Sequence, residues 1–524
     1  MTVGLRRAPR RLAGLGAALA LILTLGACGD SSDLGEDPDA TEPTVADETA
    51  DSPDETDAPE IDAASLDDFY TQELEWSPCG NHECATAAMP IDYTDPTGDT
   101  VSIALEKQPA DGERVGTIFV NPGGPGGSGV DFVEQVETEF RPEVLERYDV
   151  VGFDPRGVGL SDPVDCYDTE ELDEFISVDP TPDNDQEEQG ALEATKEFAA
   201  ACLETTGDLL AHVSTIEVAR DLDVLRGVVG DETLTYYGAS YGTTLGSTYA
   251  ELFPDKVGRM VLDGATDPSL SAEESNRSQA AVFQLALEAY LDDCLTQEDC
   301  PFTGDRQAAL DQIEELLAGL DEDPLPTGDE ERPLTESLGF FGIAVTLYSE
   351  DSWPYLSDGL ALALEGDGSA LLQFADIYFS RENGEFADNS AEVIFAVNCL
   401  DEPLSLSVED IEASVPEYEQ ASPTFGRVFA WSMLGCSNWP VTTTEERITI
   451  DAAGAAPIVV IGTTGDPATP YEEAVALADQ LESGVLVTRV GDGHTAFGAG
   501  NQCVDSAVDA YYLEGTVPED GLEC

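Results

Sequence analysis

Basic side chains are scarce in this sequence: 21 Lys and Arg stand against 108 Asp and Glu, for a formal charge of -87. Such a surface repels phosphate backbones and anionic bilayers, so no nucleic-acid partner is expected. Histidine is rarer still, with His82, His212 and His494 the only three. No two cysteines stand in a C-x-x-C pair, and His82 alone lies near any cysteine, so no metal is expected. G-K-S and G-K-T are missing too, which removes the signature of a phosphate-cradling loop. The apolar run near the start, "LAGLGAALALILTL", is too short to cross a bilayer comfortably.

That run does have a function. Preceded by "LRRAPRR" and followed by "LGAC", it reads as an export signal over residues 1–27, and Leu25-Gly26-Ala27-Cys28 resembles a lipobox whose cysteine is lipidated. A membrane partner through a lipid anchor on Cys28 is therefore expected, with the protein on the outer face of the cell membrane or secreted. Residues 29–66 carry fourteen acids and no Lys or Arg. A segment of that composition buries too little to fold and repels itself, so 28–66 reads as an acidic tether.

Ten cysteines remain once Cys28 is set aside, an even number for an oxidising compartment. They fall in close couples: Cys79 with Cys84, Cys166 with Cys202, Cys294 with Cys300, Cys399 with Cys436, and Cys503 with Cys524. Ten cysteines allow about nine hundred pairings, and nearest-neighbour pairing is the one adopted as a hypothesis.

The body alternates short apolar runs with helical patterns. "GTIFVN" (116–121), "YDVVGF" (148–153), "TLTYYG" (233–238), "RMVLDG" (259–264), "PIVVIG" (457–462) and "GVLVTRV" (484–490) read as strands. Alternation of this kind predicts an α/β fold, a mainly parallel sheet with helices on both faces. From about 270 to 420 the rhythm turns helical. The expected organisation is a core at 67–270, a helical lid at 271–415 and a second core portion at 416–524.

The chemistry begins at "GASYG", Gly238 to Gly242. G-x-S-x-G between a strand and a helix presents a serine hydroxyl on a tight turn, which makes Ser240 the candidate nucleophile. A serine needs a base, and in this fold the order is Ser, acid, His. His494 alone comes late, directly after the last strand. The acid follows from position: Asp466 in "GTTGDPATP" sits after the preceding strand, with Asp263 at the end of "RMVLD" as the rival. For the oxyanion, "NPGGPGGSG" (121–129) offers close backbone approach. Pro122 and Pro125 have no N–H, so Gly123 and Gly124 are the early donors, and Gly124 with Tyr241 is the preferred pair.

Together, "NPGGPGGSG", "VVGFDPRGVGLSDPVDC", "YYGASYGTTLGSTYAELFPDKVGRMVLDGATDP", "NCLDEP", "CSNWP", "GTTGDPATP" and "GDGHTAF" resemble the secreted tripeptidyl-aminopeptidase-like proteins of the α/β-hydrolase superfamily, relatives of prolyl aminopeptidases. The resemblance runs from about residue 70 to the end. It implies the α/β-hydrolase fold with a helical lid and a triad of Ser240, Asp466 and His494. It also implies an oxyanion hole at Gly124 and Tyr241 and no cofactor. The implied partners are peptides with free N-termini, cleaved through an acyl-enzyme; a carboxylesterase or lipase using the same triad is the alternative. Recognition of a free α-ammonium calls for carboxylates, and Asp401 with Glu402 is the candidate pair. The charge is more extreme than the resemblance requires.

Overall fold

The computed structural model describes residues 61–524 apart from 62, 330, 444 and 446. The lipobox cysteine and nearly all of the acidic tether lie outside the described residues. Ten strands form one sheet: β1 (Ser77–Cys79), β2 (His82–Pro90), β3 (Thr100–Gln108), β4 (Gly116–Asn121), β5 (Tyr148–Phe153), β6 (Leu234–Ala239), β7 (Val257–Asp263), β8 (Ile458–Gly465), β9 (Gly484–Asp492) and β10 (Leu522–Glu523). Their spatial order is β1-β2-β3-β5-β4-β6-β7-β8-β9-β10. The first three strands and the β3/β5 contact are antiparallel; every pairing from β5 through β10 is parallel. The fold class is the expected one. The antiparallel β1–β3 edge is an addition, built from sequence such as "HECATAAMP", whose small residues give little strand signal.

Period-two alternation splits each central strand between two cores. Phe119, Val151, Tyr236, Leu262 and Val460 face one side, while Ile118, Val150, Tyr237, Val261 and Ile461 face the other. On the first side pack helices α1 (Thr215–Val228), through Val218, Leu222 and Leu225, and α2 (Tyr241–Leu252), through Leu245 and Tyr249.

A separate helical core covers this assembly. It takes in α3 (Ala272–Cys294) and α4 (Glu336–Leu347) through Leu287, Leu291, Leu338 and Ile343. It also takes in Ile411, Phe425 and Trp431, so the helical layer continues to about residue 434, and the expected lid boundary at 415 falls inside the helix Val408–Ala421. Helix α5 (Ser390–Asp401) lies within the expected lid span but packs Val393, Val397 and Leu400 into the first sheet core. Helix α6 (Tyr471–Gln480) adds Ala474 and Leu477 to the first sheet core, and α7 (Gln502–Glu514) adds Val504, Val508 and Tyr512 to the opposite one.

Five disulfides join Cys79 to Cys84, Cys166 to Cys202, Cys294 to Cys300, Cys399 to Cys436 and Cys503 to Cys524. Among the described residues no helix is long and apolar enough to cross a membrane.

Candidate active site

Five loops meet at the carboxyl ends of β4, β6, β7, β8 and β9, the edge at which open parallel sheets place their sites. The turn after β6 holds Ser240 at φ 55 and ψ -124, a left-handed conformation in which a non-glycine residue is strained. Its glycine neighbours are sterically required. A Cβ on Gly238 would stand 2.3 Å from the Gly242 carbonyl oxygen, and one on Gly242 would stand 2.8 Å from that of Asn121. The Ser240 N–H donates to the Asp263 carbonyl at 2.9 Å, and its own carbonyl accepts from Thr243 N–H at 2.8 Å.

The glycine-rich loop after β4 lies against this turn. A Cβ on Gly123 would come within 2.9 Å of Ser240 Cβ and 3.0 Å of the Tyr241 nitrogen. Buried Asn121 takes the Gly123 N–H on its Oδ1 at 3.0 Å, which leaves Gly124 as the donor of the two without an acceptor among the described residues. Tyr241 opens α2, so its N–H has no acceptor within the helix. Both N–H groups therefore remain available beside Ser240.

Asp466 follows β8 and its side chain is fully buried. Its Oδ1 accepts from Ala468 N–H and Thr469 N–H at 2.9 Å each, and its Oδ2 from Thr495 N–H at 3.2 Å. Both oxygens lie 2.9 Å from His494 Nδ1. A carboxylate only accepts, so the Nδ1 proton is the one shared with Asp466 and Nε2 is left as the free base. Burial works against charge on the imidazole, but the charge and hydrogen bond of Asp466, reinforced by Asp263, outweigh it and hold the His494 pKa above its ordinary value.

Asp263 has a different position from the one its chain placement allows. Its carboxylate accepts Ala496 N–H at 3.1 and 3.0 Å and Phe497 N–H at 2.8 Å, so it holds the backbone just past His494 rather than the ring. Burial pushes its pKa up to about 6, opposed by those N–H groups. The Asp263–Gly264 segment touches both base and nucleophile: a Cβ on Gly264 would lie 3.2 Å from His494 Cε1, and the Asp263 carbonyl accepts the Ser240 N–H.

Tyr348, just past α4 in the helical layer, is a partner that sequence order did not point to. Its carbonyl accepts the His494 N–H at 2.9 Å, and its ring meets the imidazole edge to face at 5.3 Å between centroids. The other two histidines are paired elsewhere, His82 with Glu106 at 2.5 Å and His212 with Glu217 at 2.8 Å.

The two carboxylates expected to receive a substrate ammonium are engaged by the protein's own donors. Asp401 accepts Thr215 N–H at 2.9 Å and the Thr215 hydroxyl at 2.5 Å. Glu402 pairs with Arg447 at 3.2 Å on the partly exposed rim.

The family described as TAP-like protein matches residues 422–524, the part carrying Asp466 and His494. Over nearly the whole chain the protein is similar to Serine protease Hip1 of Mycobacterium tuberculosis, 38% identical over 478 residues, 86% of this chain and 91% of that one. It is similar as well to Carboxylesterase B of the same organism, 37% identical over 449 residues, 84% of this chain and 86% of that one. Tripeptidyl aminopeptidase of Streptomyces lividans is 31% identical over 468 residues, 86% of each chain.

Proposed function

Because this chain belongs to the TAP-like serine peptidases of the α/β-hydrolase superfamily, we propose that it cleaves short peptides from free N-termini with Ser240, Asp466 and His494 as its triad. The observation that carries this reading is the buried Asp466–His494 pair, set on the loops beside a serine held in a strained turn. His494 Nε2 takes the Ser240 proton as Oγ attacks the scissile carbonyl, and Asp466 stabilises the imidazolium that results. The oxyanion forms at the Gly124 and Tyr241 N–H groups. Collapse expels the leaving amine, which takes the proton from His494. Water, deprotonated by the same nitrogen, then attacks the acyl-enzyme and releases the N-terminal fragment with Ser240 restored.

The second reading is an esterase. The relative named Carboxylesterase B favours it, and both substrate classes pass through the same acyl-enzyme. Matched peptides with free and N-blocked termini, set beside p-nitrophenyl esters, separate the two. A peptidase of the proposed kind turns over the free peptide at least about tenfold more efficiently than the blocked one, the scale of one well-placed charged contact. Equal rates on both peptides with fast ester turnover would replace it with the esterase.

Export and anchoring through Cys28 belong to the same proposal, supported by the signal-like start and by five disulfides, which persist outside reducing compartments. Cys28→Ala should shift the protein from the membrane fraction to the soluble one without loss of specific activity; a variant that stays with membranes refutes the anchor.

A further inference from the structure

We infer that Asp401 and Thr215 are positioning residues that lock Tyr241, and with it one of the two oxyanion donors, into place. This rests on the triad reading above and assigns Asp401 a role other than holding a substrate ammonium.

Three contacts form a single chain. The Thr215 hydroxyl lies 2.5 Å from Asp401 Oδ2 and 2.5 Å from the Tyr241 phenol oxygen. Threonine has one hydroxyl proton and a carboxylate has none, so Thr215 donates to Asp401 and Tyr241 donates to Thr215. Asp401 Oδ1 also accepts the Thr215 backbone N–H at 2.9 Å. That N–H belongs to the first residue of α1, one of the groups a helix leaves unpaired, and an anion there is favoured by the helix dipole. Asp401 thus fixes both the backbone and the hydroxyl of Thr215, and Thr215 fixes the phenol.

Tyr241 immediately follows the nucleophile. Its ring has only two torsions, so anchoring the phenol anchors the Cα and the N–H as well. Packing against the first sheet core holds the Tyr241 ring, and the phenol contact is what adds direction to that hold.

The same helix steadies the other donor. Asp401 ends α5, and the opposite end of α5 packs on the glycine-rich loop: a Cβ on Gly126 would lie 3.1 Å from Ser390 Cα and from Val393 Cβ. Helix α5 is fastened at both ends. Asn389 donates to the Gly157 and Val164 carbonyls at 2.9 and 2.8 Å, and Cys399 is bonded to Cys436. One braced helix therefore supports the loops of both Gly124 and Tyr241, and the hydroxyl chain is its link to the second.

Steady-state kinetics of Tyr241→Phe, Thr215→Val, Thr215→Ser and Asp401→Asn, on a free peptide, its N-blocked form and a p-nitrophenyl ester, test this. An oxyanion donor serves every acyl substrate, so kcat should fall about tenfold or more on all that are turned over, with KM changed by less than about twofold. Thr215→Ser keeps the hydroxyl and should retain most of the turnover. Tyr241→Phe combined with Thr215→Val should be no worse than the poorer single variant, because both break one chain. Tyr241→Phe removes a single oxygen and keeps the ring, so it reads the chain even where Thr215→Val fails to fold. The inference is overturned if Asp401→Asn raises KM for free peptides alone while ester turnover holds, the pattern of an ammonium receptor. Unchanged kcat in Tyr241→Phe overturns it too and leaves the triad reading standing. An unsubstituted protein that turns over none of the three substrates would end both.

Discussion

Asp466→Asn should lower turnover by about four orders of magnitude on every substrate while leaving the melting temperature nearly unchanged. The magnitude follows from the tautomer. Asp466 accepts the Nδ1 proton of His494 and so leaves Nε2 free to take a proton from Ser240. An amide in its place can donate, which draws the unprotonated nitrogen toward residue 466 and presents N–H where a base is needed. The fold should survive with only a small loss of stability, because the asparagine oxygen can still accept from Ala468 and Thr469 N–H, and the amide nitrogen displaces only the longer contact, from Thr495 N–H at 3.2 Å. Asp263→Asn is the informative contrast. Both oxygens of Asp263 face N–H donors from Ala496 and Phe497, so an amide nitrogen meets a donor there too, but Asp263 makes no hydrogen bond to the imidazole, and the cost should appear mainly in stability. Labelling by a fluorophosphonate, abolished in Ser240→Ala but retained at a slower rate in Asp466→Asn, separates loss of nucleophile from loss of its activation. Near-normal turnover in Asp466→Asn would remove Asp466 from the triad.

Much of the sheet is legible in the sequence for a physical reason. Parallel strands buried on both faces must be apolar along their length, and "GTIFVN", "YDVVGF" and "PIVVIG" show it. The β2–β3 edge is harder to read, since β2 is mostly small residues, although β3 alternates buried and less buried positions in a way that "TVSIALEKQ" displays. The elbow is legible because close packing demands glycine at 238 and 242. What chain order cannot reveal is a contact made by folding distant segments together. Tyr348 reaches His494 across nearly 150 residues, and Asp401 reaches Thr215 across 186. Asp401 stands out as an acid beside a cysteine, but nothing local says that its oxygens are spent on a threonine. Asp263 shows the same limit: it occupies a plausible acid position, and only the structure reveals that its carboxylate holds backbone rather than imidazole.

The melting temperature should fall by about 5 to 10 °C as pH rises from 5 to 8 at low salt. Burial pushes four glutamates, Glu139, Glu336, Glu392 and Glu473, up to about 7. In Glu139 the charges of Asp263 and Asp505 add to burial, and in Glu336 those of Asp179 and Asp321. In the unfolded chain these groups ionise near their ordinary value of about 4.3. Between that value and about 7 the folded state binds more protons than the unfolded one, so stability drops as pH climbs through the window. His494 and His212, both raised, work in the same direction, for their contribution is complete below the ordinary histidine value and lost above it. One pKa unit corresponds to about 1.4 kcal/mol and roughly two units per group fall between pH 5 and 8, which puts the four glutamates together on the order of 10 kcal/mol. Asp92, Glu274, Asp367 and Asp410 are lowered by hydrogen bonds and act oppositely, but the last three are solvent-exposed, Asp92 is only partly buried, and all four are screened. Surface repulsion from the charge of -87 adds to the loss at high pH, and salt separates the two contributions. Added salt screens the surface but not the buried carboxyls, so it should restore only part of the melting temperature at pH 8. Glu139→Gln and Glu473→Gln, neutral at every pH, should flatten the profile. A melting temperature that is constant or rises from pH 5 to 8 would contradict the assignment. Because His494 must be neutral to accept the Ser240 proton, turnover should rise across the same interval in which stability falls, so the working pH is set by where the two trends cross.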